Sequence, residues 1–206
     1  MKIVTVSRMY GSGGSEVAAL VAKSLGWRVI DNEFVDAVAK KLGVTAAEVS
    51  AREERVSSLE ERLATTLALS TGEFMIPAAD PEVPLTEERI LEMTQRVIDE
   101  AVEKGPTVLV GRGAQMVLAQ RADAIHAFCY APRPALVARV MARHKCGKAE
   151  AEKITDEMNK NREQYVKKNW KRSWAAHENY HICVNTDWLG VDGAAEVIVE
   201  LARGKW

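Results

Sequence analysis

Apolar and polar positions alternate along this chain in blocks of two kinds, short continuous apolar runs and longer stretches with helical spacing. Lys2 to Ser7 is β-branched and apolar and predicts a strand. Arg8-Met9-Tyr10-Gly11-Ser12-Gly13-Gly14-Ser15-Glu16 breaks it with three glycines in four residues, which predicts a loop. Val17, Ala18, Leu20, Val21 and Leu25 recur at helical spacing, and Gly26 stands where a left-handed residue closes a helix. Trp27 to Ile30 predicts a second strand, running into Asp31-Asn32, two good N-caps, and a helix through Leu42 closed by Gly43.

The pattern then changes. Thr45-Ala46-Ala47-Glu48 and Ser57-Ser58-Leu59-Glu60 are capping boxes of short charged helices, and Pro77, Pro81 and Pro84 punctuate a loop after them, so residues 44–85 read as a helical insert. Helical spacing returns from Thr86 to Lys104 and stops at Gly105-Pro106. Thr107-Val108-Leu109-Val110 is continuously apolar, as a strand covered on both faces must be, and that argues for a parallel sheet. Ala124 to Tyr130 predicts another strand, Pro132 to Arg143 a helix, Lys148 to Trp170 a long charged helix, His181 to Val184 a last strand and Gly193 to Arg203 a final helix. Alternating strands and helices predict a three-layer α/β sandwich in one domain of 206 residues, without internal repeats.

Composition narrows the function. Lys plus Arg number 28 against 29 Asp plus Glu, a formal charge of -1, so no global field draws the chain to nucleic acid or anionic membrane, and any polyanion site is local. No stretch approaches the roughly 20 apolar residues of a membrane span, and the first residues lack the apolar centre of an export signal. Three cysteines, Cys129, Cys146 and Cys183, form no CxxC pair, which fits reduced thiols and a cytoplasmic setting. The four histidines share no metal-ligand spacing.

A glycine-rich turn between the first strand and helix of an α/β protein can wrap backbone N–H groups around an anion, with the helix N-terminus behind them. Against the phosphate-loop pattern GxxxxGK[ST], Arg8 takes the place of the first Gly, Gly13 that of the second, Gly14 that of the Lys and Ser15 that of the magnesium-binding hydroxyl. Two of the four defining positions differ, so the motif by itself leaves a phosphate loop and a ligand-free tight turn equally open. A dinucleotide fingerprint GxGxxG is excluded, because Glu16 stands at its last position.

The rest of the chain adds to this. Ser7 to Gly14, Asp31, Val110-Gly111-Arg112-Gly113-Ala114, Arg139 with Arg143, Asn161-Arg162 with Tyr165, Trp174, and Asn179-Tyr180 leading to Asn185-Thr186 together resemble the cytidylate kinase-like family over nearly the full length. That resemblance implies a P-loop fold with a parallel five-stranded sheet, an acceptor-binding insert and a helical lid at about 143–170. It also implies ATP and Mg²⁺ as cofactors and small-molecule nucleotides, most simply CMP or dCMP, as substrates. In that family the GSGG loop without Lys is itself the usual form. Gly11, Ser12, Gly13, Gly14 and Ser15 would then hold the donor phosphates, with Ser15 on the metal. Arg139 and Arg143, four apart on one helix face, would stand at the lid hinge beside the donor, and Arg162 and Lys153 would lie on the lid. Asp31 would bind the acceptor nucleoside and Arg112 its phosphate, a guanidinium fork matching phosphate oxygens. Arg8 would either supply the charge of the missing Lys or brace the loop.

Three departures touch metal and arginine orientation: Met9 where the family commonly has an acidic residue, Asn159 where it has an Asp, and Val110 where bacterial cytidylate kinases have an Asp. Either Ser15 would act with phosphate oxygens and waters alone, or Asp156 would compensate for Asn159. These departures keep open a nucleotide-binding sensor without catalysis. A third reading, single-stranded nucleic acid on Lys167-Lys168-Asn169-Trp170-Lys171-Arg172 and Trp174, is disfavoured, since residues 148–172 hold eight basic and five acidic residues. Trp170 and Trp174, four apart, read first as packing residues. The insert between Val44 and Leu85 either covers the acceptor or pairs with another subunit, which leaves a homo-oligomer among the expected arrangements.

Overall fold

The structure is a computed structural model and describes residues 2–31, 38–39, 41–45 and 86–206. Two compact units divide the chain: Met1–Asp31 with Ile98–Trp206, and Asn32–Val97. Of the second unit, Val38, Ala39, Lys41 and Leu42 are helical, and Gly43 at φ +66° closes that turn as predicted. The capping-box helices and most of the expected insert lie outside the described residues.

The first unit is built on a five-stranded, all-parallel sheet. Its elements, numbered among the described residues, are β1 (Ile3–Arg8), α1 (Gly14–Leu25), β2 (Arg28–Ile30), α2 (Glu87–Glu103, which crosses the boundary between the units), β3 (Thr107–Val110), α3 (Ala114–Val117), β4 (Ala124–Tyr130), α4 (Arg133–His144), α5 (Lys148–Trp170), β5 (Ile182–Asn185) and α6 (Gly190–Lys205). The strand order is β2-β3-β1-β4-β5. Register places Ile3 beside Thr107 on one side and Ala124 on the other, so β1 is central. Ile3 to Ser7 are buried, as the continuous apolar run requires, and only Arg8 at the end is partly exposed.

Side chains alternate across the sheet. Val4, Val6, Val108, Val110, Ile125, Ala127, Cys129 and Val184 point to the face covered by α1 and α6, where Val17, Val21, Ile198 and Val199 complete the larger core. On the other face Phe128 packs with Met116 of α3, Val166 of α5 and Trp174. This is the three-layer α/β sandwich that the sequence predicts, and Trp174 is the packing residue expected of it. At a burial value of about 25 cal/mol per Å² of apolar surface, burying side chains such as Val4 and Val6 contributes about 1.5–3 kcal/mol each. Two elements escape sequence reading: the four-residue α3 and a 3₁₀ turn at His177–Asn179, both too short to show a period. β5 is shifted one residue later than predicted, and α6 begins three residues earlier, at Gly190.

Because the strands are parallel, their C-terminal ends share one edge. Arg8, Asp31, Gly111-Arg112 and Thr186 therefore converge there, from four places distant in sequence, at the side where open α/β sheets take ligands.

Candidate active site

The turn after β1 is held by a small set of backbone bonds. Met9 N–H donates to Cys129 O at 2.9 Å, and the Ser12 N–H and hydroxyl both donate to Met9 O, at 3.2 and 2.8 Å. Ser12 is thus spent on folding the loop, and it is fully buried. Gly11 at φ +82° and Gly13 at φ +77° take the left-handed backbone that other residues adopt at a cost of about 1–2 kcal/mol. The first intrahelical bond of α1 runs from Val17 N–H to Gly13 O, so the N–H groups of Gly14, Ser15 and Glu16 precede the ladder. No side chain caps them. The helix therefore presents amides with a positive dipole end at the mouth of the loop, an arrangement that fits a phosphate group.

Gly14 stands where a phosphate loop usually has its Lys, and the structure gives a packing reason. A Cβ there would meet the Cβ of Arg8, with Arg8 Cγ at 3.0 Å and Cys129 Cβ at 3.1 Å. Arg8 runs across this position and reaches the backbone at Gly111, and its Nη2 donates to Asp31 Oδ1 at 3.2 Å. The cation that a Lys would bring from the helix is instead rooted on the strand. Of the two alternatives for Arg8, the structure shows the side chain packed across the loop and paired with Asp31.

Arg8 is one of three interacting guanidiniums. Burial lowers the pKa of Arg8, partly opposed by Asp31. It also lowers that of Arg112, with Arg8 pushing the same way and Tyr165 and Asp31 opposing. Arg162 is pulled down to about 9, first by burial and then by Arg8, with Tyr10 and Asp31 opposing and Arg112 adding to the fall. Asp31 is the carboxylate common to all three. Three partly desolvated cations around one carboxylate make a positive site that an anion would relieve. Arg112 is held there on a left-handed backbone, φ +54°, between Gly111 at +73° and Gly113 at +68°. The Trp170 ring closes over Gly113. Tyr165 packs beside Trp170, its phenol pushed up to about 12 by burial against the opposing charge of Arg112.

The remaining candidates divide. Arg139 reaches the loop from α4: Nη1 donates to Ser12 O at 3.0 Å and Thr186 Oγ1 at 3.0 Å, and Nη2 to Thr186 O at 2.8 Å. It braces the loop from behind, with Thr186 Oγ1 donating to Ser12 O at 2.6 Å. Arg143 pairs with Glu16, in the first turn of α1, at 2.6 Å, both about half exposed. Lys153 lies on the exposed face of α5, 4.0 Å from Glu157, and is not brought to the loop. Asn159, the position where the resemblance expects Asp, accepts the Tyr10 N–H at 2.7 Å.

For a divalent cation the residues offer little. Asp156 is engaged by Arg133 at 2.8 Å, Asp31 by Arg8 and Glu16 by Arg143. Among the described residues no group of three His, Cys, Asp or Glu could hold a metal. The half-buried Ser15 hydroxyl is an uncharged side-chain oxygen at the loop mouth that could contact a metal carried by a phosphate ligand.

The glycine loop, the strand-end arginines and α5 fall in the span that decides the family. The cytidylate kinase-like family matches residues 3–188. The chain belongs to that family. No curated protein sequence matches it. Among solved structures it is similar to an uncharacterized protein from Eubacterium ventriosum, with TM-score 0.72, 21% identity and 98% and 99% of the two chains covered. It is similar in fold to a shikimate kinase from Acinetobacter baumannii in complex with shikimate, with TM-score 0.54, 14% identity and 99% and 94% covered. A gluconokinase from Sinorhizobium meliloti gives TM-score 0.52, 12% identity and 98% and 94% covered. The fold is that of P-loop kinases, and for a cytidylate kinase-like chain it supports phosphoryl transfer. No helix among the described residues is long and apolar enough to cross a membrane.

Sequence reasoning overlooked Glu16, Tyr10 and the bracing role of Thr186. A carboxylate in the first turn of α1 was a readable signal for Glu16. Nothing local in sequence announces the other two, whose partners lie 149 and 174 residues away.

Proposed function

We propose that this protein transfers the γ-phosphoryl group of ATP, with Mg²⁺, to a small phosphorylated acceptor, a pyrimidine nucleoside monophosphate such as CMP or dCMP. One observation carries the reading: Arg8 paired with Asp31, Arg162 bonded to the Arg8 carbonyl and Arg112 at the adjoining end of β3 meet beside an uncapped helix N-terminus. Such a site favours two anionic groups at once, a triphosphate tail and an acceptor phosphate.

In this reading the amides of Gly14, Ser15 and Glu16 orient the donor phosphates. Arg139 keeps their loop in shape. Arg112 holds the acceptor phosphate, Asp31 orients Arg8 and meets the acceptor nucleoside, and Arg162 faces both phosphates. Arg143 exchanges Glu16 for the moving phosphoryl group, placing its charge where negative charge spreads in the transition state. Ser15 would be the residue that holds Mg²⁺ when the triphosphate is bound, and the metal would supply charge neutralisation at the phosphate oxygens.

The engaged state of Asp31, Glu16 and Asp156 favours one alternative, a nucleotide sensor that binds without turnover. A coupled ADP-release assay with CMP, dCMP, UMP and small alcohol acceptors separates the two. Release that depends on a nucleoside monophosphate is the expected result. Silence with every acceptor, accompanied by ATP-dependent thermal stabilisation, would assign the sensor instead.

A further inference from the structure

Every backbone N–H in a partly buried loop needs an acceptor. In the turn after β1 two have backbone acceptors, Met9 in the neighbouring β4 and Ser12 in Met9 itself. Tyr10 is different. Its N–H donates 2.7 Å to Asn159 Oδ1 on the lid helix α5. One helical turn further along the same face of α5, Arg162 Nη1 donates 2.6 Å to Arg8 O. The guanidinium of Arg162 also lies 5.5 Å from the centre of the Tyr10 ring, a cation–π distance, and the Tyr10 hydroxyl is 2.8 Å from His144 Nε2 at the end of α4. Backbone groups two residues apart in the loop are therefore held by side chains three residues apart on the lid.

We propose that Asn159, acting through Tyr10, is a positioning residue for the donor site: it fixes the first turn of the glycine loop to the lid helix, and so sets the aim of the amides at Gly14 to Glu16. The inference rests on that loop being the triphosphate site. The neutral amide accepts the Tyr10 bond without adding a second negative charge near Arg162, which preserves the positive excess of the site. Asn159 thereby gains a task of its own at a position where the family commonly has an acid.

The test compares Asn159→Leu and Asn159→Ala, which remove the acceptor, with Asn159→Asp, which keeps one. Exchange of the Tyr10 amide proton is followed by NMR without nucleotide, ATP affinity is measured by calorimetry, and melting curves verify that each variant is folded. Expected are a rise of about tenfold or more in Tyr10 exchange and a fall of about tenfold in ATP affinity for the Leu and Ala variants, as for the loss of one half-buried hydrogen bond. Asn159→Asp is expected to restore Tyr10 protection to within about threefold of the parent. Unchanged exchange and affinity in a folded Leu or Ala variant would overturn the proposal, as would exchange in the Asp variant as fast as in the Leu variant. If the parent protein binds no ATP, the phosphoryl-transfer reading fails, while the exchange data still judge the tie between lid and loop.

Discussion

Gly14→Ala puts the reading of the loop to a quantitative test. The added methyl would strike the Arg8 Cβ and stand 3.0 Å from Arg8 Cγ and 3.1 Å from Cys129 Cβ. Those atoms hang from β1 and β4, whose register pairs Arg8 directly with Cys129, so the collision cannot be relieved by turning a flexible side chain. Overpacking of this kind costs about 1–3 kcal/mol. Alanine in place of glycine in a helix offsets up to about 1 kcal/mol of that. A net loss of about 1–2 kcal/mol, at about 2–4 °C per kcal/mol for a chain of this size, lowers the melting temperature by about 2–8 °C. Circular-dichroism melts of Gly14→Ala, alone and in an Arg8→Gly background, complete the cycle, and the penalty should shrink by half or more when the Arg8 side chain is absent. Wild-type melting of Gly14→Ala, or an equal penalty in both backgrounds, would show that Arg8 does not account for the glycine.

Arg143→Ala should lower turnover by about a hundredfold while leaving the melting temperature within a degree or two, because its ion pair with Glu16 is exposed and its proposed contact belongs to the transition state; steady-state kinetics beside a melt decide it, and unchanged turnover removes Arg143 from the mechanism. Gly13→Val should abolish ATP binding in calorimetry, since a β-branched residue at φ +77° would also press on Val191 Cγ2 at 2.9 Å; retained affinity would place the phosphate site elsewhere. Acid should destabilise the fold through His126, whose pKa is held down to about 4 by burial first and the neighbouring His181 second, against 6.5 for the unfolded chain. The unfolded chain then takes up a proton that the folded one refuses, so the contribution is complete above about pH 6.5 and is lost as pH falls toward 4, by about 3 kcal/mol in all. Melting temperatures between pH 7 and 5 should fall less steeply in His126→Asn, and parallel curves would contradict the assignment.

The fold was legible because its strands are covered on both faces. Thr107 to Val110 reads as a buried parallel strand from its letters alone, and Gly26 and Gly43 closed helices where a left-handed residue was expected. The site was legible where one chain segment builds it, as in the glycine loop, and at Arg8, Arg112 and Arg162, which the structure brings into one electrostatic group. It was illegible where tertiary structure chooses among partners. Arg139 was expected on the donor and is found gripping Ser12 O and Thr186, because β5 ends beside the loop. Lys153 shares a helix with Arg162 but is spaced so that it turns to solvent. Asn159 looked like a lost ligand; its amide accepts a backbone bond that no local pattern could have assigned.

Helix α5 is also a lever with more than one fastening. Its 23 residues make a rod of roughly 34 Å. Asn159 and Arg162 pin its middle to the glycine turn, Trp170 at its far end lies on Gly113 beside Arg112, and Asp156 ties its near half to the start of α4. A stiff rod cannot lift from one support alone. A swing that frees the glycine turn must drag the tryptophan off Gly113, so under the proposed function entry and exit of the two substrates would share a single gate.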